Sequence, residues 1–480
     1  MTTKNNYHGQ KQMVTISTLA FFISVMVWFN MAPFQSTIQL QLDLTDKEIG
    51  ALMIVNLALS IPGRIIIGRL VDRYGPRKVF SILLITMSVP CFFFAIGTNY
   101  VQLLISRLIL GTIGASFVIG IRMVTEWVPA GKVGFAQGIY AGWGNFGSSF
   151  AALTLPPLAL IIGGENGWRY AILLTGILAL IYGIVFYFTA KNTPDWREFP
   201  YTKNVAPLQA TTKSDLIILT IISFPIYGGI GILIWTLNQN NIISDHLALL
   251  SFLITGTTYL FNMGKRWRRN EEYIKNKVPD TEKYSMKNVA ILSMGYFTTF
   301  GSELAIISML PMYFQNSFAV NAVIASTIAS SFAFTNLFAR PAGGWLSDRF
   351  GRKKILLLLL ALLSCLYAGM SFMQNSWPIY LVILLIVCCS LISQAASGAI
   401  FSMVSLIKKN QTGQISGMVG AYGNIGSLCF LAVLNVSQYN IFFLTISIGL
   451  LLCFLTTLTL QLQSKLSTKT NVTKKLARIN

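Results

Sequence analysis

Apolar runs of about twenty residues recur from one end of this chain to the other, and nothing else in it limits the fold so severely. A bilayer core cannot satisfy an open strand edge or an irregular loop. A chain of such runs therefore folds as a bundle of membrane-spanning helices. Twelve runs fall at 14–34, 47–67, 79–98, 101–125, 134–160 and 168–189, then at 287–313, 320–343, 354–373, 377–403, 413–436 and 439–462. Charged residues make up only 11% of the 480, against roughly a quarter in soluble proteins. The expected fold is all-α and polytopic, with 1–190 as one six-helix bundle and 287–464 as a second.

The stretch 191–286 between the bundles opens on Lys191-Asn192-Thr193-Pro194-Asp195, which is turn chemistry. Two more apolar runs follow, about 216–236 and 246–264, with basic residues outside them and none in the linker Thr236 to Asp245. That pattern predicts an extra transmembrane hairpin and fourteen spans in all. Pro225 and the glycines 228, 229 and 231 weaken its first member, so two interfacial helices beside twelve spans stand as the alternative.

The net charge of +20 is no nucleic-acid footprint, because the basic residues occupy alternate short loops. They crowd 69–78, Lys132, 191–213, 265–287, 349–354, Lys408, Lys409 and the tail 465–480, while the opposite loops are nearly free of them. This is an orientation signal, and it predicts a multi-pass protein of the cell membrane with both termini in the cytoplasm. Thr2 to Met13 is polar and mildly basic without a cleavage pattern, so the first run reads as a retained helix and not a signal peptide.

Two stretches repeat. Arg64 is followed by Gly68, Asp72, Arg73, Gly75, Arg77 and Lys78, and 276 residues later Arg340 is followed by Gly344, Asp348, Arg349, Gly351, Arg352 and Lys353. Gly138-Ile139-Tyr140-Ala141-Gly142-Trp143-Gly144-Asn145-Phe146-Gly147 returns, 279 residues on, as Gly417-Met418-Val419-Gly420-Ala421-Tyr422-Gly423-Asn424-Ile425-Gly426. The halves are thus parallel repeats, expected to face each other across a path and to work by alternating access.

An arginine inside a membrane span is costly and marks a functional site by default. Arg64 and Arg340 lie about two turns inside their helices. Two guanidiniums facing one cavity offer fixed planar donors to a small oxyanion, and they repel each other when it is absent. Asn145 and Asn424 add uncharged donors. Tyr296 and Phe300 share a helix face, and Phe117 is placed to oppose them as an aromatic wall. Gly144, Gly147, Gly423 and Gly426 permit close helix packing.

Asp72 with Arg73, and Asp348 with Arg349, read as gating salt bridges at helix ends, where an aspartate also suits the N-terminus of a neighbouring helix. Glu303 is a candidate for proton coupling, with pairing to an arginine as the other reading; Arg107, with Gly111, is structural or coupling. Arg122 and Glu126 are four apart and able to pair on one helix face. Cys91, Cys365, Cys388, Cys389, Cys429 and Cys453 lie in apolar runs without metal spacing and read as buried packing residues; with two histidines, His8 and His246, no metal site is expected. There is no phosphate-binding glycine loop, so the driving force must come from gradients. The chain reads as a transporter without cofactor and not as an enzyme. It needs no partner beyond the lipid bilayer and is expected to act as a monomer.

The Gly-x-x-x-Asp-Arg-x-Gly pattern at 68–75 and 344–351, with Arg107-x-x-x-Gly111, resembles the signatures of the major facilitator superfamily. Arg64 and Arg340, taken with 142–147 and 420–426, resemble the nitrate/nitrite porter family, and Ile61-Pro62-Gly63-Arg64 and Phe300-Gly301-Ser302-Glu303-Leu304 are most similar to its cyanobacterial-type permeases. The resemblance implies secondary transport of nitrate, and of nitrite, clamped by Arg64 and Arg340. It implies Asn145 near the anion, pocket aromatics at Tyr296, Phe300 and Phe117, and either exchange or import with protons. A carrier of another small anion, such as a short carboxylate, is the alternative, and a sensor that transports nothing is a third. The central hairpin departs from the family's twelve-span plan.

Overall fold

The computed structural model describes residues 9–195, 198–199, 208–239, 241–275, 283–320, 322–374 and 376–461. The expected tail 465–480 and parts of 191–286 lie outside these. All regular structure among the described residues is helical. The first half comprises α1 (Gln10–Phe29), α2 (Gln35–Gln41), α3 (Asp46–Ala58), α4 (Ser60–Tyr74), α5 (Pro76–Ala95), α6 (Tyr100–Leu110), α7 (Ser116–Trp127), α8 (Val133–Ile162) and α9 (Gly167–Thr189). The central region follows as two spans, the first made of α10 (Lys213–Ile221) and α11 (Phe224–Gln239) and the second of α12 (Asp245–Lys275). The second half comprises α13 (Met286–Phe318), α14 (Ala322–Phe334), α15 (Asn336–Phe350), α16 (Arg352–Ser371), α17 (Ile379–Ile407), α18 (Thr412–Val436) and α19 (Tyr439–Thr457).

Local chemistry sets the boundaries. Thr45 and Glu48 form a reciprocal capping box that starts α3, with Thr45 N donating to Glu48 Oε2 at 2.9 Å. In the repeated loops the turn between α4 and α5 passes through Gly75 at φ 82°, and that between α15 and α16 through Gly351 at φ 101°. Both angles strain any residue with a Cβ.

Thirteen stretches among the described residues are long and apolar enough to cross a membrane. The run expected at 320–343 holds α14 and α15, which meet at Thr335 much as α3 and α4 meet at Leu59. The Phe332 carbonyl at this joint accepts hydroxyl bonds from Ser390 and Thr335, each 2.8 Å, and an amide bond from Gln394 at 3.0 Å. Side chains inserted into the ladder in this way break a helix.

The halves meet along two seams, α4 against α18 and α15 against α8. Glycine makes both approaches possible. A methyl on Gly417 would strike the Arg64 carbonyl, and one on Gly138 would strike that of Arg340. The helices that carry the two buried arginines are therefore the ones pressed against the opposite half.

The central pair is a hairpin anchored to the second half. Tyr422 donates to the Ile222 carbonyl at 2.7 Å, Met286 N to Asp215 at 2.9 Å, and Thr211 to the Tyr284 carbonyl at 3.1 Å. Its inner helix α11 lies on α18 and also touches α3 and α4 of the first half. It thus lies across one seam, while α12 faces mostly outward.

Of the six cysteines, Cys91, Cys389 and Cys453 are buried, whereas Cys365 is exposed and Cys388 and Cys429 are half-buried. The apolar segments hold them as expected, but on outward faces of α16, α17 and α18 as well as inward ones, because a span in lipid carries apolar residues all round.

Candidate functional site

Arg64 and Arg340 are both buried, at 2% and 1% exposure. Arg64 donates from Nη1 to the Gly420 carbonyl across the seam at 2.5 Å, and from Nε to the Gly114 carbonyl at 3.3 Å. Gly114 lies in the 3-10 stretch Gly111–Ala115 that separates α6 from α7. A 3-10 turn takes its carbonyls out of the α-helical ladder and so leaves one to meet a side chain. Among the described residues no carboxylate pairs with Arg64.

Arg340 is held differently. Its Nη2 donates to Glu303 Oε2 at 2.9 Å, and Glu303 Oε1 accepts from Asn336 Nδ2 at 2.9 Å. Asn336 stands one turn before Arg340 on the same helix face. The two halves differ here. Gly423 of α18 packs on the Phe300 ring, and Gly144 of α8 packs on Phe21 in the equivalent way. Three residues beyond Phe300 stands Glu303, but three beyond Phe21 stands Ser24. Among the described residues only one of the two arginines has a counter-charge, and two guanidiniums against one carboxylate leave a single positive charge in the centre.

The predicted aromatics converge on that centre. Phe300 lies against both arginines, its ring centroid 5.7 Å from the Arg64 Cζ and 5.1 Å from the Arg340 Cζ. Tyr296 stacks on Phe300 at 4.8 Å, and Phe117 lies parallel to Tyr296 at 6.4 Å and 5.6 Å from the Arg64 Cζ. Phe401 closes the group edge-on, 4.8 Å from both Phe117 and Tyr296. Neither Phe401 nor Asn336 was foreseen. The four-residue spacing from Arg340 was a usable signal for Asn336; nothing in the sequence marked Phe401.

The paired asparagines are not equivalent in contact. Asn424 donates to Ser60 at 2.6 Å, one turn from the Arg64 contact at Gly420, and its buried Oδ1 accepts no hydrogen bond. Asn145 is half-buried, and its amide donates at 2.8 Å to Ala141 of its own helix. All four expected packing glycines lie where helices touch: Gly144 and Gly147 against Phe21 and the Phe22 carbonyl of α1, Gly423 and Gly426 against Phe300 and the Phe297 carbonyl of α13.

At the basic end the partners differ from the salt bridges foreseen. Asp72 accepts from the backbone N–H of Gly413 at 3.0 Å and Gln414 at 2.9 Å, the first turn of α18 in the other half. Its ion partner is Arg122 at 3.2 Å, and Arg122 also pairs with Glu126 at 2.8 Å. Asp348 accepts from Phe135 N at 3.0 Å in the first turn of α8 and pairs with Arg352 at 2.7 Å. Each half therefore caps a helix of the other, where an aspartate also meets the positive end of the helix dipole. Arg73 and Arg349 are exposed and lie over Tyr74 and Trp345. One residue further along a helix turns away by about 100°, which is why neither joins its neighbouring aspartate at the seam. Arg352 also donates to the Ala130 carbonyl at 2.5 Å, and Arg122 to that of Lys409, so this end is closed.

Arg107 is bound within the first half, donating to Asn30 Oδ1 at 3.2 Å and the Trp28 carbonyl at 3.1 Å, with Phe94 across its face. These contacts make it a tie between α6 and α1, away from the central pair.

A sequence profile of the Major Facilitator Superfamily matches residues 17–428 and 292–478. The nitrate/nitrite transporter NrtP of Nostoc punctiforme is 40% identical over 90% of this chain and 89% of its own length. The protein of the same name from Picosynechococcus sp. is 38% identical over 89% and 85%. Among solved structures, a double-Trp XylE mutant superposes with TM-score 0.68 at 14% identity, covering 95% of this chain and 97% of its own. The human organic anion transporter MFSD10 superposes with TM-score 0.62, also at 14% identity, over 93% and 99%. The chain belongs to the Major Facilitator Superfamily and, within it, to the family of those two NrtP relatives.

Proposed function

We propose that this protein carries nitrate, and nitrite with it, across the cell membrane by alternating access, with the anion bound between Arg64 and Arg340. Most support comes from the single positive charge left where the two guanidiniums share the Phe300 face at the seam of the halves. A dry site of that charge suits one small monovalent anion, and the flat aromatic group leaves a planar one the least space to lose. The names of the NrtP relatives agree with this reading.

In this proposal the basic end faces the cytoplasm and the reciprocal aspartate caps are the gate that opens there. Glu303 is the coupling group. While ionised it holds Arg340 Nη2. A proton on Glu303 frees that donor for the anion and adds one positive charge beside it, so proton and anion bind cooperatively.

The test is uptake of labelled nitrate into proteoliposomes, with and without an imposed pH gradient. Arg64→Ala or Arg340→Ala is expected to lower uptake about a hundredfold, since each removes one partner of a desolvated charge contact. Wild-type rates in either variant would overturn the clamp, and equal transport of a bulky carboxylate would overturn the choice of anion.

A further inference from the structure

Asn336 and Glu303 come as a set in the second half. Asn336 stands four residues before Arg340, and the residue four before Arg64 is Ser60. The counterpart of Glu303 is Ser24. Both serines donate inside their own half, Ser60 to the Leu57 carbonyl at 2.7 Å and Ser24 to that of Ala20 at 2.8 Å. In the second half the amide and the carboxylate meet instead, and both are buried with Arg340.

Glu303 divides its two oxygens. Oε1 accepts from Asn336 Nδ2 and Oε2 from Arg340 Nη2, each at 2.9 Å. A guanidinium has no acceptor, and the edge of the amide that faces Glu303 is its donor. A proton on either oxygen therefore meets an N–H, and one of the two donors must leave. If Asn336 left, the proton would rest on Oε1 and Arg340 would stay on Oε2. If Arg340 leaves, its Nη2 is free for an anion. The amide is the better fixed of the two. Helix α8 presses on its backbone, since a methyl built on Gly142 would lie 2.4 Å from the Asn336 carbonyl. A half-turn of the side chain would carry both amide hydrogens to the place of Oδ1, which is buried and has no hydrogen-bond partner among the described residues. Buried N–H groups left unpaired are rarer than unpaired carbonyls.

We propose that Asn336 is a positioning residue for proton coupling: it keeps its N–H on Glu303 Oε1, so that the proton goes to Oε2 and Arg340 is the group released. This rests on the coupling role given to Glu303 above. The O–H bond forms at Oε2 and the Nη2–H···Oε2 bond breaks. The new O–H and the released N–H then both donate to the anion, so proton and anion bind through one set of atoms and each favours the other.

The other ionisable groups around Glu303 are Tyr296 on its own helix, Tyr367 of α16, whose hydroxyl donates to Ser302, and the two arginines at Phe300. Tyrosine and arginine ordinarily titrate above about pH 9, so nitrate binding to the full chain in nanodiscs is titrated at about pH 5 and about pH 8. The wild type is expected to bind about tenfold tighter at the lower pH, and Glu303→Gln equally at both. Asn336→Leu removes the donor. Asn336→Asp gives Oε1 a carboxylate with which to share one proton, as paired carboxylates do. Both variants are expected to bind equally, within about twofold, at the two pH values, since protonation no longer dislodges Arg340. Their affinity at the higher pH should stay that of the wild type, because Glu303 holds Arg340 there in every case. Asn336→Asp keeps the side-chain volume and serves if Asn336→Leu does not assemble. A residue that only supports packing would weaken binding by the same factor at both pH values. A wild-type ratio of the two affinities in either Asn336 variant would therefore overturn the inference and leave Glu303 as the coupling group. Equal affinity at both pH values in the wild type would overturn both.

Discussion

Glu303 and Arg340 form an ion pair of 2.9 Å with both side chains almost wholly excluded from solvent. Neutralising one partner of such a pair leaves the other charge uncompensated, at a cost of about 3–5 kcal/mol when the partner is simply deleted. Glu303→Gln keeps an oxygen for Asn336 and removes the charge, with an amide N–H2 where an oxygen held Arg340. Under the proposed coupling it mimics the protonated state. Nitrate should then bind at least about tenfold tighter, because a full unit of charge close to the anion is no longer cancelled, and an imposed pH gradient should no longer accelerate uptake. Binding titrations and uptake with and without the gradient check both. A variant still driven by protons would remove Glu303 from the coupling.

Phe300 lies under both guanidiniums. Phe300→Leu retains apolar volume but not the ring quadrupole. Two desolvated cation–π contacts are worth together about 2 kcal/mol or more, so the arginines should become less fixed and the KM for nitrate should rise about tenfold or more. Thermal unfolding should change less than transport does. Equal KM in the variant would show that the ring serves packing alone.

Asp72 and Asp348 each cap a helix of the opposite half. Loss of an N-cap carboxylate costs about 1 kcal/mol, a factor of about five. Asp72→Ala and Asp348→Ala should each shift the population toward opening at the basic end, and the double variant should shift it further. Hydrogen exchange at 413–414 and 134–135 is the direct readout, since those amides lose their acceptors. Asp72→Ala should also leave Arg122 dependent on Glu126 alone for counter-charge, so its effect should exceed that of Asp348→Ala. Unchanged exchange in both segments would dismiss the caps as the gate.

The fold was readable because its cause is compositional. Runs such as 14–34 and 439–462 can only be helices in lipid, and the repeated loops announced the two halves. The joint at Thr335 was hidden, because Ser390 and Gln394 that break the ladder lie more than fifty residues away in sequence. The positions of Arg64 and Arg340 could be named from their repetition, but their different states could not, since Glu303 and Asn336 become neighbours only in three dimensions. The aspartates at the basic end misled in a simpler way: an Asp-Arg dipeptide looks like a pair, whereas adjacent helical residues point apart. Arg122, 50 residues from Asp72 and distant from any repeat, is the partner a linear reading passes over.

The seams supply the last prediction. A methyl built on Gly138 would lie 2.5 Å from the Arg340 carbonyl, and the atom it meets is backbone, which cannot rotate aside. Gly138→Ala must therefore push α8 away from α15, and Gly417→Ala must do the same between α18 and α4. Overpacking of this kind costs about 1–3 kcal/mol. In a carrier the cost falls on the arrangement in which the seams are closed, so transport should fall more steeply than stability. Gly228 and Gly256, in the central hairpin, have nothing within 4 Å of a built methyl, and alanine there should leave nitrate uptake and thermal unfolding as they are. Uptake rates and unfolding midpoints for the four variants, measured side by side, separate the two classes. If Gly138→Ala and Gly417→Ala transported at the rate of Gly228→Ala, close approach along these seams would not be part of the transport cycle.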